Sequence, residues 1–396
     1  MHYDTNRAAT PVISARIVGA VVLAVLVALP TSAFATSEVE RAQATVAIEG
    51  NGFGHGRGLS QHGAQAAAKQ GRTYRQILRF YYPGLSWGSA AGTVSVLLTG
   101  DTTSDVVVSA RPKLKVRSLG SGKTYALNKR NAKQWRITPA GTRSTISFLT
   151  NRWRALRVVP GDAQFTAGGR PITLHTPAGK VAYRGSLRSA SPAGGGTAVR
   201  DTVNVVALDD YLQGVVPREV PALWHPQAVR AQAVAARTYA AFERSRPLAG
   251  HYQICDTSLC QVYGGQSAEH PASNAAIVAT AREVLTKGGE PAFTQFSASN
   301  GGWTSAGSFS YLPAQQDPYD RAYRGWRTSL DTDAIAAAYP ALGSFRSIKV
   351  VQRDGNGRYG GRVEKLRITG SRTSIVANGD SFRSIFGLRS TLFQIS

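Results

Sequence analysis

Cysteine is almost missing from this sequence: its 396 residues contain two, Cys255 and Cys260. Two thiols five positions apart allow one local disulfide or, with His251, part of one zinc site that has no evident fourth ligand. No zinc-finger spacing occurs. Acidic residues are also scarce, 23 against 46 lysines and arginines, giving a formal charge of +23. So basic a surface calls for a polyanionic partner, and it also keeps a chain soluble. The cations are scattered through β-like segments and no RNA-binding signature is present, which argues against nucleic acid. The glycine-rich loop at 50–58 lacks the GK[ST] ending of a phosphate loop, and no serine sits in a G-x-S-x-G elbow. Neither phosphate binding there nor a serine hydrolase is therefore indicated, and Ser297 and Ser299 lack the context of a nucleophile.

What is present begins with a leader pattern. Arg7 and Arg16 precede an apolar run from Ile17 to Leu29, and Ala33-Phe34-Ala35 has the small-x-small form of a cleavage site. The run is short for a bilayer span, so a signal peptide over 1–35 and export are predicted. Setting aside Asp4, Arg7 and Arg16 leaves +22, and an exported chain of that charge meets anionic wall polymers and lipid headgroups.

Residues 36–92 read as a glycine- and histidine-rich segment with two short helices, the first started by Ser60 and the second capped by Thr73. His55 and His62 lack a third metal ligand in this segment, so no metal is predicted and a cleft-lining loop is the better reading. Residues 93–206 alternate in short valine- and isoleucine-rich runs, which predicts an antiparallel sandwich or barrel. Residues 207–396 form the remaining core, and the fold class predicted for the whole is α+β.

Within that core, Val215 to Glu243 reads VVPREVPALWHPQAVRAQAVAARTYAAFE. Glu219 stands between Pro217 and Pro221, which predicts a stiff extended loop that presets its aim. Pro226 suits a first helical turn, and Gln227 to Glu243, alanine-rich and free of glycine, predicts a helix with Val229, Ala233, Ala236 and Ala240 facing inward. The apolar neighbours Val220, Leu223 and Trp224 offer a means of desolvating Glu219. Asp209 and Asp210, expected to cap a helix start, are the alternative source of a second carboxylate.

This stretch, with GHGRGLSQHGA at 54–64, DTSLCQVYGG at 256–265 and FSASNGGWT at 296–304, resembles the SpoIID/LytB family of secreted bacterial cell-wall proteins. In the members best matched at Glu219 the GHG segment follows the glutamate, whereas here it precedes it. That departure predicts that the two ends of the chain meet, so that the segment docks on the same cleft. The resemblance implies a lytic transglycosylase acting on peptidoglycan glycan strands, with Glu219 as acid and base and no cofactor. It assigns substrate binding to Arg237, Gln232, Tyr239, Gln261, Tyr263, Ser297, Ser299, His55, Ser60 and Gln61. It also keeps zinc open at Cys255 and Cys260, and it implies, as the rival, a non-catalytic enhancer working with a peptidoglycan amidase.

Overall fold

Valine-rich runs broken by glycine, proline and asparagine build two antiparallel sheets over most of residues 93–207. The computed structural model describes residues 44–194 and 198–395, so the leader pattern lies outside the described residues. One sheet has six strands in the spatial order Trp153–Pro160, Arg143–Leu149, Gln134–Ala140, Val106–Ser109, Ile172–Thr176 and Gly179–Tyr183. The other has seven, Ile254–Cys255, Thr93–Leu97, Asp201–Ala207, Ser186–Ala190, Ala163–Thr166, Lys115–Ser118 and Thr124–Ala126. Val96, Val116, Phe165 and Leu187 from the second sheet share one core with Val108, Trp135, Ile146 and Leu174 from the first. Sequence alternation had marked seven of these strands. Five others within 93–207, among them Ala163–Thr166 and Gly179–Tyr183, do not register on their own, the shortest carrying too few apolar residues.

The helices among the described residues are α1 (Gln61–Lys69), α2 (Tyr74–Tyr81), α3 (Leu208–Glu219), α4 (Pro226–Ser245), α5 (Pro271–Ala279), α6 (Thr332–Ala338) and α7 (Gly379–Ile385). The whole is α+β. Helix α4 starts as its sequence predicts, with Pro226 in the first turn and the His225 ring accepting from the Gln227 amide at 3.3 Å. Its inward stripe, Val229, Ala233, Ala236 and Ala240, lies in the sandwich core. A second stripe, Ala228, Ala231, Val234 and Ala235, joins Leu59, Ala67, Leu78 and Tyr81 of the N-terminal segment. Alanine-rich sequence is what lets one helix be packed on both sides at short interaxial distance.

The expected extended loop around Glu219 is not what forms. Glu219 ends α3, with Pro217 inside the last turn. The second proline explains the stop: Pro221 disfavours helical backbone at Val220, which is extended at φ −136°, so the helix closes one residue earlier. The aim of Glu219 is still preset, by the last turn of a helix instead of by a loop.

Residues 283–297 do not close on themselves as one hairpin. Glu283–Lys287 pairs with the two-residue strand Glu290–Pro291 and with Ser86–Ser89, while Phe296–Ser297 leaves to pair in parallel with Leu59–Ser60. Nearer the C-terminus Phe345–Arg353 forms a hairpin with Val363–Gly370, and Ser374–Asn378 is added beside it. Thr45–Gly50 runs between Trp326–Asp331 and Phe393–Ile395, so the N-terminal segment is tied to the C-terminal strand as the motif order predicted. Among the described residues no helix is long and apolar enough to cross a membrane.

Candidate active site

Where α3 ends, a cleft of about 610 Å³ opens. Its walls come from five places in the chain: Phe53, Gly54, His55 and Gln61; Glu219 with Tyr239 of α4; Ser258, Leu259, Cys260 and Val262; Gln295 to Ala298; and Arg383 with Ser384 of α7. Among these lining residues Glu219 is the only carboxylate.

Each oxygen of Glu219 has one donor. The Val262 amide donates to Oε1 at 3.0 Å, and Gln61 Nε2 donates to Oε2 at 3.4 Å. Burial pushes its carboxyl above the ordinary value, and these two hydrogen bonds oppose the shift without cancelling it. The desolvating surface differs from the one expected. Leu223 is 82% exposed and does not line the cleft, and Trp224 instead meets the His62 ring edge-on at 4.8 Å. Tyr239, Phe296, Val262 and the Leu259-Cys260 turn are what wall Glu219 in.

Both donors are themselves held. Gln61 is the first residue of α1, whose cap Ser60 accepts from the Gly63 amide at 3.0 Å and donates to buried Asp320 at 2.7 Å. Asp320 also takes the Ser299 hydroxyl at 2.8 Å and the Asn300 amide at 2.7 Å, clamping the GHG and SNGG loops together. Val262 follows a turn closed by a disulfide between Cys255 and Cys260, and the amide of Cys260 bonds the Thr257 carbonyl at 2.9 Å. With both thiols in that bridge, and with His251 bonded to Asp201 at 2.6 Å, the zinc alternative has no ligands there. Among the described residues no cluster of His, Cys, Asp or Glu is arranged to hold a metal.

His55 lines the cleft, and burial followed by the nearby Arg57, Arg362 and Arg383 lowers its pKa to about 3. Its Nδ1 accepts from the Arg57 amide at 3.0 Å. A ring so held is neutral at ordinary pH and shapes the loop instead of carrying a proton.

Of the ten residues assigned to substrate binding, His55, Gln61, Tyr239 and Ser297 join Glu219 in the cleft. The other six do not line it. Arg237 is wholly buried, its guanidinium bonded to Asp209 at 2.6 Å and to the Glu283 and Ile277 carbonyls at 3.2 Å. It ties α3, α4 and the following strand together, and it occupies Asp209. Gln261 accepts from Tyr211 and donates to the Ala236 carbonyl, and the Tyr263 hydroxyl donates to Asn204 at 2.8 Å. Ser60 and Ser299 are taken by Asp320, and Gln232 is buried within the helical layer. A long polar side chain on a motif helix reads alike from sequence whether it faces ligand or core. Sequence reasoning missed Arg383, Phe53, Asp320 and Asp317, the last of which takes the Tyr81 hydroxyl at 2.7 Å and the Asn300 side-chain amide at 2.6 Å. The spacing QDPYD at 316–320 was the available signal for the last two, inside a stretch that reads as merely aromatic.

Residues 197–286 match the model of the SpoIID family, stage II sporulation protein. Over that stretch the chain is similar to the SpoIID domain. That match spans α3, α4, α5 and the disulfide turn, and so contains Glu219, Tyr239 and Val262. Among curated proteins, the chain is 36% identical over 141 residues to the amidase enhancer of Bacillus subtilis strain 168, covering 33% of this chain and 19% of that protein. It is 29% identical over 180 residues to stage II sporulation protein D of Bacillus amyloliquefaciens, covering 39% of this chain and 48% of that one. With the B. subtilis stage II sporulation protein D the identity is 48% over 40 residues, 12% of that protein. The matched regions thus span less than half the length of these relatives. Gln61, His55, Ser297 and Arg383, which complete the cleft around the matched stretch, fall outside 197–286.

Proposed function

We propose that this is an exported peptidoglycan-remodelling protein that cleaves glycan strands by lytic transglycosylation, with Glu219 as the sole acid and base. The observation that carries the proposal is a single desolvated carboxylate, with raised pKa, in a cleft that no other carboxylate lines. Ordinary glycosidases place two carboxyl groups across the scissile bond. Here one group must serve twice. Protonated Glu219 gives its proton to the glycosidic oxygen as the bond from that oxygen to the muramyl C1 breaks. The resulting carboxylate then takes the proton of the same sugar's 6-hydroxyl as O6 closes on C1. The product is a 1,6-anhydro ring, no water is consumed, and Glu219 ends protonated as it began. Gln61 and the Val262 amide support the transient carboxylate, with Tyr239, Phe53 and Phe296 offering ring surface to sugars.

The relative named amidase enhancer supports a second reading, in which the cleft binds strands for a partner amidase without cutting them. The test is digestion of purified glycan strands by the wild type and by Glu219→Gln, with products read by mass spectrometry. Anhydro ends from the wild type alone are expected. Reducing ends would mean water attack, and intact strands with retained binding would select the enhancer.

A further inference from the structure

A second cavity, about 550 Å³, shares His55 with the Glu219 cleft. Arg57, Arg362 and Lys365 line it with the carboxylates Asp354, Glu364 and Asp380. None of these carboxylates forms an ion pair with Arg362. Asp354 Oδ1 accepts the Arg362 and Asn356 amides at 2.8 and 3.0 Å, Glu364 takes the Gln352 side chain, and Asp380 faces Arg57 at 3.5 Å. The Arg362 side chain is different. The residue is 4% exposed, and its guanidinium reaches only the neutral Asn300 carbonyl at 2.9 Å and Thr391 hydroxyl at 3.4 Å. Among the described residues no carboxylate oxygen pairs with it.

A buried guanidinium with no direct ion pair is costly, and an anion supplied from outside would relieve that cost. Burial lowers the pKa of Arg362 to about 10, a shift that Asp354 and Asp380 oppose from beyond ion-pair distance and that Arg383 and Arg57 reinforce. Gly56 of the GHG loop also makes room for it. A Cβ there would collide with the Arg362 guanidinium, so the motif's glycine and the C-terminal arginine fit each other.

We propose that this cavity is a carboxylate subsite, in which Arg362, with Arg57 and Lys365 at the rim, receives an acidic group carried by the glycan strand bound in the neighbouring cleft. It rests on the reading of that cleft as a strand-binding site. Two groups have this chemistry, the lactyl carboxylate of a bare muramyl sugar and the carboxylates of a stem peptide.

The experiment measures binding calorimetrically on the full chain carrying Glu219→Gln, so that nothing is cut. The probes are a neutral N-acetylglucosamine strand, bare muramyl strands and peptide-bearing strands of equal length. Carboxylated strands are expected to bind roughly tenfold tighter than the neutral one, as for a hydrogen bond to a charged group. Preference for bare strands identifies the lactyl group, and preference for peptide-bearing strands the stem. Arg362→Gln should erase the difference, and so should the rim pair Arg57→Gln with Lys365→Gln, which decides the matter if the buried variant does not fold. Equal affinity for neutral and acidic strands, or a difference that survives the rim pair, overturns the subsite and leaves the Glu219 reading standing. Absence of binding by any strand removes both.

Discussion

A carboxyl walled in by Tyr239, Phe296 and the disulfide turn loses hydration that an exposed one keeps, and it therefore holds its proton to higher pH. Activity that begins with proton donation should fall as pH rises through that raised value. The fall should be absent from strand binding, and a flat rate profile across it would remove Glu219 as the acid. Stability follows with a definite sign. Because the folded pKa lies above the unfolded one, the contribution of Glu219 is fully present below the unfolded value and is lost as pH rises through the folded value. Glu219→Gln should accordingly raise Tm at neutral pH, with the gain vanishing in acid. A lower Tm at pH 7 would mean that the Val262 and Gln61 bonds outweigh burial. Arg237 makes the opposite case. Replacing it by Met strands two carbonyls and a carboxylate around a wholly buried side chain, at a cost of about 3 kcal/mol in denaturant unfolding. Turnover of the folded variant should stay within a few-fold of wild type, and lost turnover at unchanged stability would return Arg237 to the cleft.

At the scale of elements, the site is a meeting of a helix end with turns. Gly56 sits at φ +73° with the Arg362 guanidinium where a Cβ would be, whereas Gly71, at φ +83°, faces open space. Gly71→Ala should cost about 1 kcal/mol from backbone alone. Gly56→Ala adds a collision and should cost roughly 2–3 kcal/mol, with weakened strand binding besides. Equal costs in parallel denaturant titrations would show that the loop yields to accommodate the methyl. The turn closed by Cys255 and Cys260 carries the Val262 amide, so replacing both cysteines by serine should lower turnover as well as stability. For so small a loop the stability loss is about 2 kcal/mol. Unchanged turnover in the serine variant would separate the turn from the chemistry.

Across the whole molecule, charge and chemistry are kept apart. Residues 93–206, which supply most of the sandwich, hold eighteen lysines and arginines against four carboxylates, and none of them lines the Glu219 cleft. Arg154 and Arg157 lie on the edge strand Trp153–Pro160, and Arg157 covers the Tyr125 ring at 3.9 Å. Exposed lysines and arginines on edge strands also guard against sheet-to-sheet pairing. Under the proposed function the partner for this surface is a polyanionic wall polymer, and such attraction is screened within about 8 Å at physiological salt. Arg154→Glu with Arg157→Glu should release the protein from isolated walls at lower salt while leaving cleavage of short soluble strands intact. Retention unchanged by the pair would assign the charge to solubility alone.

Much of this was open to reading in one dimension. Period-two alternation marked the sandwich, alanine and Pro226 marked α4, and a carboxylate pinned by prolines marked Glu219, because each of those signals is local. The order of the motifs even implied that the ends of the chain meet, as the pairing of Thr45–Gly50 with Phe393–Ile395 requires. Local signals do not say which way a side chain faces. Arg237, Gln261 and Tyr263 were indistinguishable from ligand-binding residues until packing turned them inward, and Arg383 and Arg362 carried no mark until a distant strand and helix brought them to His55. The sequence by itself determined most of the elements and marked Glu219 as the candidate carboxylate. Only the tertiary structure decided what surrounds that group, since burial and the pairing of charges depend on residues hundreds of positions apart.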